Sequence, residues 1–323
     1  MTQLTKGTWN GYDTYILHSN DLQITLLPRL GNNVIAIWDK HEERHILREP
    51  DEQDLDFYLL KPYHFGIPLL FPPGRIRNGQ FSYDGVDYQF NRNTAGDNHI
   101  HGLHKTQSWC VSDIEEDEDG CSITTEFLSS DDSQWMAQSP IPLKFQVIFK
   151  LQGSRFTQQL KVTNLGEHAF PVGLGFHSWF LLNGQPQDWT LKVPVESIYE
   201  LDEALIPSGG LAPLGSLEDL NVGLNLAGTN FDTLFRIGEG QPVEAVLSHK
   251  DGYGLRYVAD DRYFKHWVLY TKGEAEEFLC IEPYTWLPNA PNLEQGPEFT
   301  GLIRLEPQQT FETQLYLESI HRP

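Results

Sequence analysis

The sequence predicts an all-β chain, a large antiparallel β-sandwich built as one domain over residues 1–323. Three observations carry that prediction. Short runs alternate apolar with polar residues or are rich in β-branched and aromatic ones. Turn signals recur roughly every eight to twelve residues. No strand–helix–strand rhythm separates them, which argues against a parallel sheet. The chain is long for one domain, but large β folds reach this size, and no linker-like composition shift, internal repeat or low-complexity segment interrupts it.

Residues 12–38 read as strands: 15–18 and 22–27 are separated by Ser19-Asn20-Asp21, and Leu30-Gly31-Asn32-Asn33 turns the chain into 34–38. Residues 39–56 are charged, lack a periodic apolar face, and read as loop with room for one helical turn. The apolar stretch 63–71 is punctuated by Gly and Pro and is broken by Pro72-Pro73-Gly74, a shaped loop before Arg75. Residues 81–90 form a hairpin on Asp84-Gly85, the strongest short-range turn signal in the chain. The acidic run 113–119, between strands at 109–111 and 121–127, reads as a solvated hairpin tip. Strands follow at 143–151 and 156–162, a turn at Asn164-Leu165-Gly166, then strands at 191–195, 245–248, 255–258, 267–271, 278–281 and 311–317. Residues 217–226 are the one helix candidate, short and interrupted by Gly223.

Hydrophobic residues make up 39% of the chain, low but enough for a substantial core at this length. Asp and Glu outnumber Lys and Arg by 45 to 23, a formal net charge of −22. Such a surface repels nucleic acid and anionic membranes, and favours a neutral small molecule over a highly charged anion as ligand. Cys110, Cys121 and Cys280 give neither a disulfide framework nor a four-thiolate zinc site. The first residues lack the apolar core of a signal peptide and no apolar run approaches membrane-spanning length, so the expectation is a soluble chain in a reducing compartment, the cytoplasm.

The densest cluster of groups that titrate near neutrality is Asn98-His99-Ile100-His101-Gly102-Leu103-His104. On a strand, His99 and His101 would share one face and Ile100 the other, with Gly102 ending the pairing or admitting a bulge. His99 is thus expected to line a pocket, and His104 to lie outside it. Five further residues stand out: Arg75 after Pro72-Pro73-Gly74; His177 between Phe176 and Trp179; Asp232 in Asn230-Phe231-Asp232; Glu282 after Phe278-Leu279-Cys280-Ile281; and Trp286. A carboxylate closing an apolar run is partly desolvated, which raises its pKa and makes it a better base; the plain alternative is a strand-end Glu in solvent. His177 alone could be a packed core histidine, Arg75 a surface arginine and Asp232 a turn or capping residue. His99-x-His101 is similar to a cupin metal pattern, but no Glu follows within a few residues. Ser178 beside His177 lacks a Gly-x-Ser-x-Gly elbow, and neither a phosphate-cradling loop nor an aromatic-basic stripe is present.

Read together, six stretches resemble the aldose 1-epimerase (galactose mutarotase) family, in order over nearly the whole chain. They are the run from Gly66 through Pro72-Pro73-Gly74-Arg75 to Ile76, Asn98-His99-Ile100-His101-Gly102, Trp109, Gly175-Phe176-His177-Ser178-Trp179-Phe180, Phe231-Asp232-Thr233-Leu234-Phe235, and Ile281-Glu282-Pro283-Tyr284-Thr285-Trp286. Leu302-Ile303-Arg304-Leu305-Glu306-Pro307 is similar to the family's closing strand. The resemblance implies a galactose mutarotase-like supersandwich whose concave face binds a monosaccharide and interconverts its α and β anomers, with no metal or organic cofactor. It implies Glu282 as general base, His177 as general acid, and His101 as a second histidine near the ring oxygen. Arg75 and Asp232 become hydroxyl contacts, and Trp286 and His99 are expected on the same binding face. Pro73-Gly74 stand where many galactose-active members carry Gly-Asn, and Ser178-Trp179 where Pro-Tyr is frequent, which leaves the sugar open. A hexose 6-phosphate, or a non-catalytic sugar-binding role on the same scaffold, are the alternatives.

Overall fold

Side-chain alternation along the strands sorts this chain into two facing sheets. The computed structural model describes residues 3–118, 120–271, 273 and 277–321. The larger sheet has nine strands in the order Cys110–Glu116, Cys121–Leu128, Leu143–Gln152, Arg155–Asn164, Thr310–Ile320, Gly254–Ala259, Glu244–His249, Trp189–Lys192 and Leu224–Asn225. The second has eight, in the order Pro207–Ala212, Ser197–Leu201, Asp232–Arg236, His266–Tyr270, Phe278–Tyr284, Gly175–Phe176 and Leu69–Leu70, with Ser178–Leu181 also pairing to Phe278–Tyr284. Every strand pairing within both is antiparallel. A five-stranded meander, from Gln3–Trp9 to Arg44–His45, precedes them.

The two large sheets share one core. Phe145, Val147, Leu160 and Leu317 of the nine-stranded sheet belong to the same buried cluster as Phe180, Trp267, Leu269, Leu279 and Ile281 of the other. The phenol of Tyr257 meets Ser178 Oγ across that interface at 2.9 Å. On the strand Phe278–Tyr284, Leu279 and Ile281 point into this core, so Glu282 and Tyr284 must face outward from the sandwich. That alternation is what creates the site.

The all-β antiparallel expectation holds, and the Asp84-Gly85 hairpin forms with both turn residues at positive φ (51° and 79°), as a tight hairpin turn requires. Three expectations need correction. Residues 113–116 of the acidic run belong to the exposed edge strand Cys110–Glu116 and not to its tip, where charge discourages edge-to-edge pairing; Asp119 lies outside the described residues. Residues 217–226 are no α-helix: a 3-10 segment, Gly215–Asn221, stops at Gly223 (φ 135°), and Leu224–Asn225 joins the large sheet. Residues 39–56 contain the expected helical turn, Glu52–Asp54 leading into the helix Leu55–Leu60, but also a short strand, Arg44–His45, that a loop reading leaves out. The strands Gln3–Trp9, Ser197–Leu201 and Pro207–Ala212 were not legible in sequence. No helix among the described residues is long and apolar enough to cross a membrane.

Candidate active site

Outward-facing residues of three adjacent strands build the floor of a cavity of about 490 Å³. Val268 lies opposite Glu282 on one side and Leu234 on the other, while Asp232 pairs with Tyr270. A period of two on each strand therefore places Asp232, Tyr270 and Glu282 on one surface. His177 enters at the junction between the strands Gly175–Phe176 and Ser178–Leu181. Its backbone N–H donates to the Pro68 carbonyl at 3.1 Å, and its ring stacks on Trp179 at 5.1 Å with a 6° interplanar angle.

Arg75 and His101 come from the opposite wall, through a two-residue ladder between Arg75–Ile76 and His99–Ile100. The pairing ends at Ile100. His101 is in the left-handed region (φ 64°) and its N–H donates to the Gly74 carbonyl at 3.0 Å. Gly102 follows at φ 69°, so close to Phe71 that a Cβ would sit 2.1 Å from its carbonyl oxygen. This kink aims the His101 ring edge-on at His177, centroids 5.3 Å apart.

The kink also overturns the shared-face expectation. Ile100 and His101 line the cavity and His99 does not. His99 packs on Phe90 (4.9 Å) and its Nδ1 lies 2.7 Å from the Asn91 carbonyl. Trp286 is likewise behind the wall and not on it: 1% exposed, it donates from Nε1 to the Pro73 carbonyl at 3.2 Å, bracing the loop that presents Arg75. Gly173 makes room for it, since a Cβ there would lie 2.2 Å from the indole. His104 is fully buried away from the cavity, its ring 4.4 Å from that of Phe145 and 4.7 Å from that of Trp135.

Of the residues singled out in sequence, Arg75, His101, His177, Asp232 and Glu282 converge. Sequence reasoning missed Tyr63, His64, Tyr270 and Tyr284, which also line the cavity. Tyr284 was recoverable: it stands two residues after Glu282 on a strand and so must share its face.

Burial governs the electrostatics. Glu282 is 1% exposed, and desolvation pushes its carboxyl up to about 8 against a hydrogen bond from Tyr284, which lowers it, and Asp232, which raises it further. His177 is lowered to about 3, mainly by burial and then by His64. His101 is driven well below its ordinary value by burial, with His177 and Lys105 adding to the shift. His177 Nε2 lies 3.4 Å from Glu282 Oε1. Burial thus favours the neutral form of both groups, an arrangement in which the pair holds one proton, on the carboxyl. His177, Cys280 and Glu282 each offer an atom within 4.8 Å of the others, a set whose chemistry suits a metal ion. Two of those atoms, His177 Nε2 and Glu282 Oε1, are the 3.4 Å pair already described.

Comparison with known proteins extends the likeness over the chain. The family model for aldose 1-epimerase matches residues 13–317. The Escherichia coli protein YihR is 26% identical over 239 residues, 71% of this chain and 72% of that one. Human galactose mutarotase is 28% identical over 73% of this chain and 63% of its own length. In structure, a galactose mutarotase-like protein from Clostridium acetobutylicum superposes with a TM-score of 0.93 at 22% identity, covering 99% of each chain. Galactose 1-epimerase from Lactobacillus acidophilus gives 0.78 at 17% identity over 100% of this chain and 99% of its own. At such identities the structural likeness speaks for the fold.

Proposed function

Because the chain belongs to the aldose 1-epimerase family, we propose that it interconverts the α and β anomers of a monosaccharide by opening and reclosing the sugar ring. The observation that carries this reading is the buried contact of Glu282 with His177, 3.4 Å apart, beneath a cavity also lined by Arg75 and Asp232. A cavity of about 490 Å³ is within the ~300–1,000 Å³ of small-molecule sites.

The one-proton pair suits a reversible reaction. Ring opening begins when the pair's proton passes from Glu282 to His177 across their 3.4 Å contact; carboxylate Glu282 then takes the proton of the anomeric hydroxyl while imidazolium His177 gives one to the ring oxygen. The bond from C1 to the ring oxygen breaks and a C1 carbonyl forms. The pair is left as carboxylic acid and neutral imidazole, the form that burial favours. After rotation about C1–C2, His177 removes the proton from the attacking hydroxyl and Glu282 returns one to the carbonyl oxygen, giving the other anomer. No proton is gained or lost over the cycle. Each proton transfer contributes about 10²–10⁴-fold. His101 lies beside His177 as a polar neighbour for the ring oxygen, and Arg75 and Asp232 hold the remaining hydroxyls so that the anomeric end alone turns.

A neutral aldose is the proposed substrate. Lys61 and Arg75 both line the cavity, so the 6-phosphates belong in the same comparison. Polarimetry on freshly dissolved α-glucose, α-galactose and other aldoses, with their 6-phosphates, tests the reading. Acceleration over buffer for at least one sugar is the expected result. Failure with every sugar removes the proposal, and saturable binding without acceleration assigns the site to carbohydrate binding alone.

A further inference from the structure

Tyr284 lies 2% exposed beside Glu282, and its hydroxyl donates to Oε2 at 2.6 Å. We propose that Tyr284 is a positioning residue for this acid–base pair, occupying Oε2 so that Oε1 alone faces His177 and the ligand. The proposal rests on the mutarotase reading for its kinetic consequence, though not for the hydrogen bond itself.

Three features support it. First, a glutamate's terminal torsion is broad and nearly two-fold, so a carboxyl without a fixed partner presents either oxygen. Here one oxygen is held, and the other lies 3.4 Å from His177 Nε2. Second, the phenol stays protonated: burial and then Glu282 itself hold it well above its ordinary pKa, so toward this carboxyl it acts as a donor. Third, the seat of the ring is built from the opposite strand. Gly175 pairs with Tyr284, and a Cβ at Gly175 would lie 2.5 Å from the tyrosine Cδ1 and 2.8 Å from Pro73 Cβ. Its φ is not in the left-handed region, so space and not backbone conformation demands glycine there. Other ionisable groups near Glu282 include His177, Asp232, Cys280 and, beneath the sheet, Tyr257, with Arg75 acting on Tyr284. Tyr284 donates its hydrogen bond to the carboxyl at ordinary distance.

The test uses Tyr284→Phe and Gly175→Ala in the full chain. Removing the hydroxyl should lower kcat by roughly 10- to 100-fold with KM within about twofold. It should also move the alkaline limb of kcat/KM to higher pH, because the bond stabilises the ionised carboxylate. Gly175→Ala, which displaces the ring but keeps the hydroxyl, should move the limb the same way. Carbon-13 NMR titration of the Glu282 carboxyl reads the same shift without reference to turnover. An unmoved midpoint in both variants overturns the proposal, as does unchanged kcat in a mutarotating enzyme. If the wild type turns over no sugar, a shifted midpoint upholds the positioning role while the mutarotase reading fails by itself.

Discussion

A carboxyl group at 1% exposure, 3.4 Å from an imidazole that burial keeps neutral, is costly to ionise and so poised to hold a proton. Glu282→Gln should therefore keep sugar binding while lowering turnover by about 10³-fold or more, read by polarimetry at saturating sugar. The wild-type kcat/KM should be level while the pair holds one proton and fall above about pH 8, where Glu282 loses it. The same residue makes a stability prediction. Between 4.5 and about 8 the native carboxyl keeps a proton that the unfolded chain has released, so its contribution to stability falls as pH rises through that window. His177 acts oppositely: between about 3 and 6.5 the unfolded imidazole takes up a proton that the native one refuses, so stability grows with pH there. Gln at 282 does not titrate. The Tm of Glu282→Gln minus that of the wild type should accordingly be larger at about pH 8 than at about pH 5, measured by calorimetry.

At the scale of the element, the segment from His99 to His104 divides three histidines among three environments. His99 opens a two-residue strand, His101 is kinked into the cavity, and His104 opens a 3-10 turn inside an aromatic cluster of Phe71, Trp109, Phe127, Trp135 and Phe145. Both ring nitrogens of His104 lack a hydrogen-bond partner among the described residues, and burial lowers it to about 3. An unsatisfied buried polar group costs about 1–3 kcal/mol. His104→Leu, of similar volume, should thus raise stability in urea denaturation, most clearly below about pH 6.5, where the unfolded histidine protonates and the native one does not. Equal or lower stability in the variant would show that packing of the ring outweighs its unpaired nitrogens.

For the molecule as a whole, a net charge of −22 means that folding gathers like charge into a smaller volume. Salt screens that repulsion, with a Debye length falling from about 30 Å at 0.01 M to about 10 Å at 0.1 M. The Tm should rise over this range of sodium chloride, and a fall would show that surface ion pairs such as Arg256–Glu244 and Arg155–Glu318 dominate instead. The cavity departs from the average surface, since Lys61 and Arg75 line it while Glu282 is largely uncharged at neutral pH.

Amino-acid order alone determined the antiparallel β-sandwich, because alternation and turn chemistry are local properties of the chain. It also singled out Arg75, His101, His177, Asp232 and Glu282, whose neighbours along the chain announce a shaped loop or a strand end. Tertiary structure decided which of these share a hollow, which oxygen of Glu282 is held, and that burial disfavours the charged form of both Glu282 and His177. It also removed His99 and Trp286 from the wall, since a left-handed residue and a tight loop rotate faces in ways that strand periodicity does not encode. Proton placement depends on how much water reaches two groups more than a hundred residues apart, and the folded chain alone sets that access.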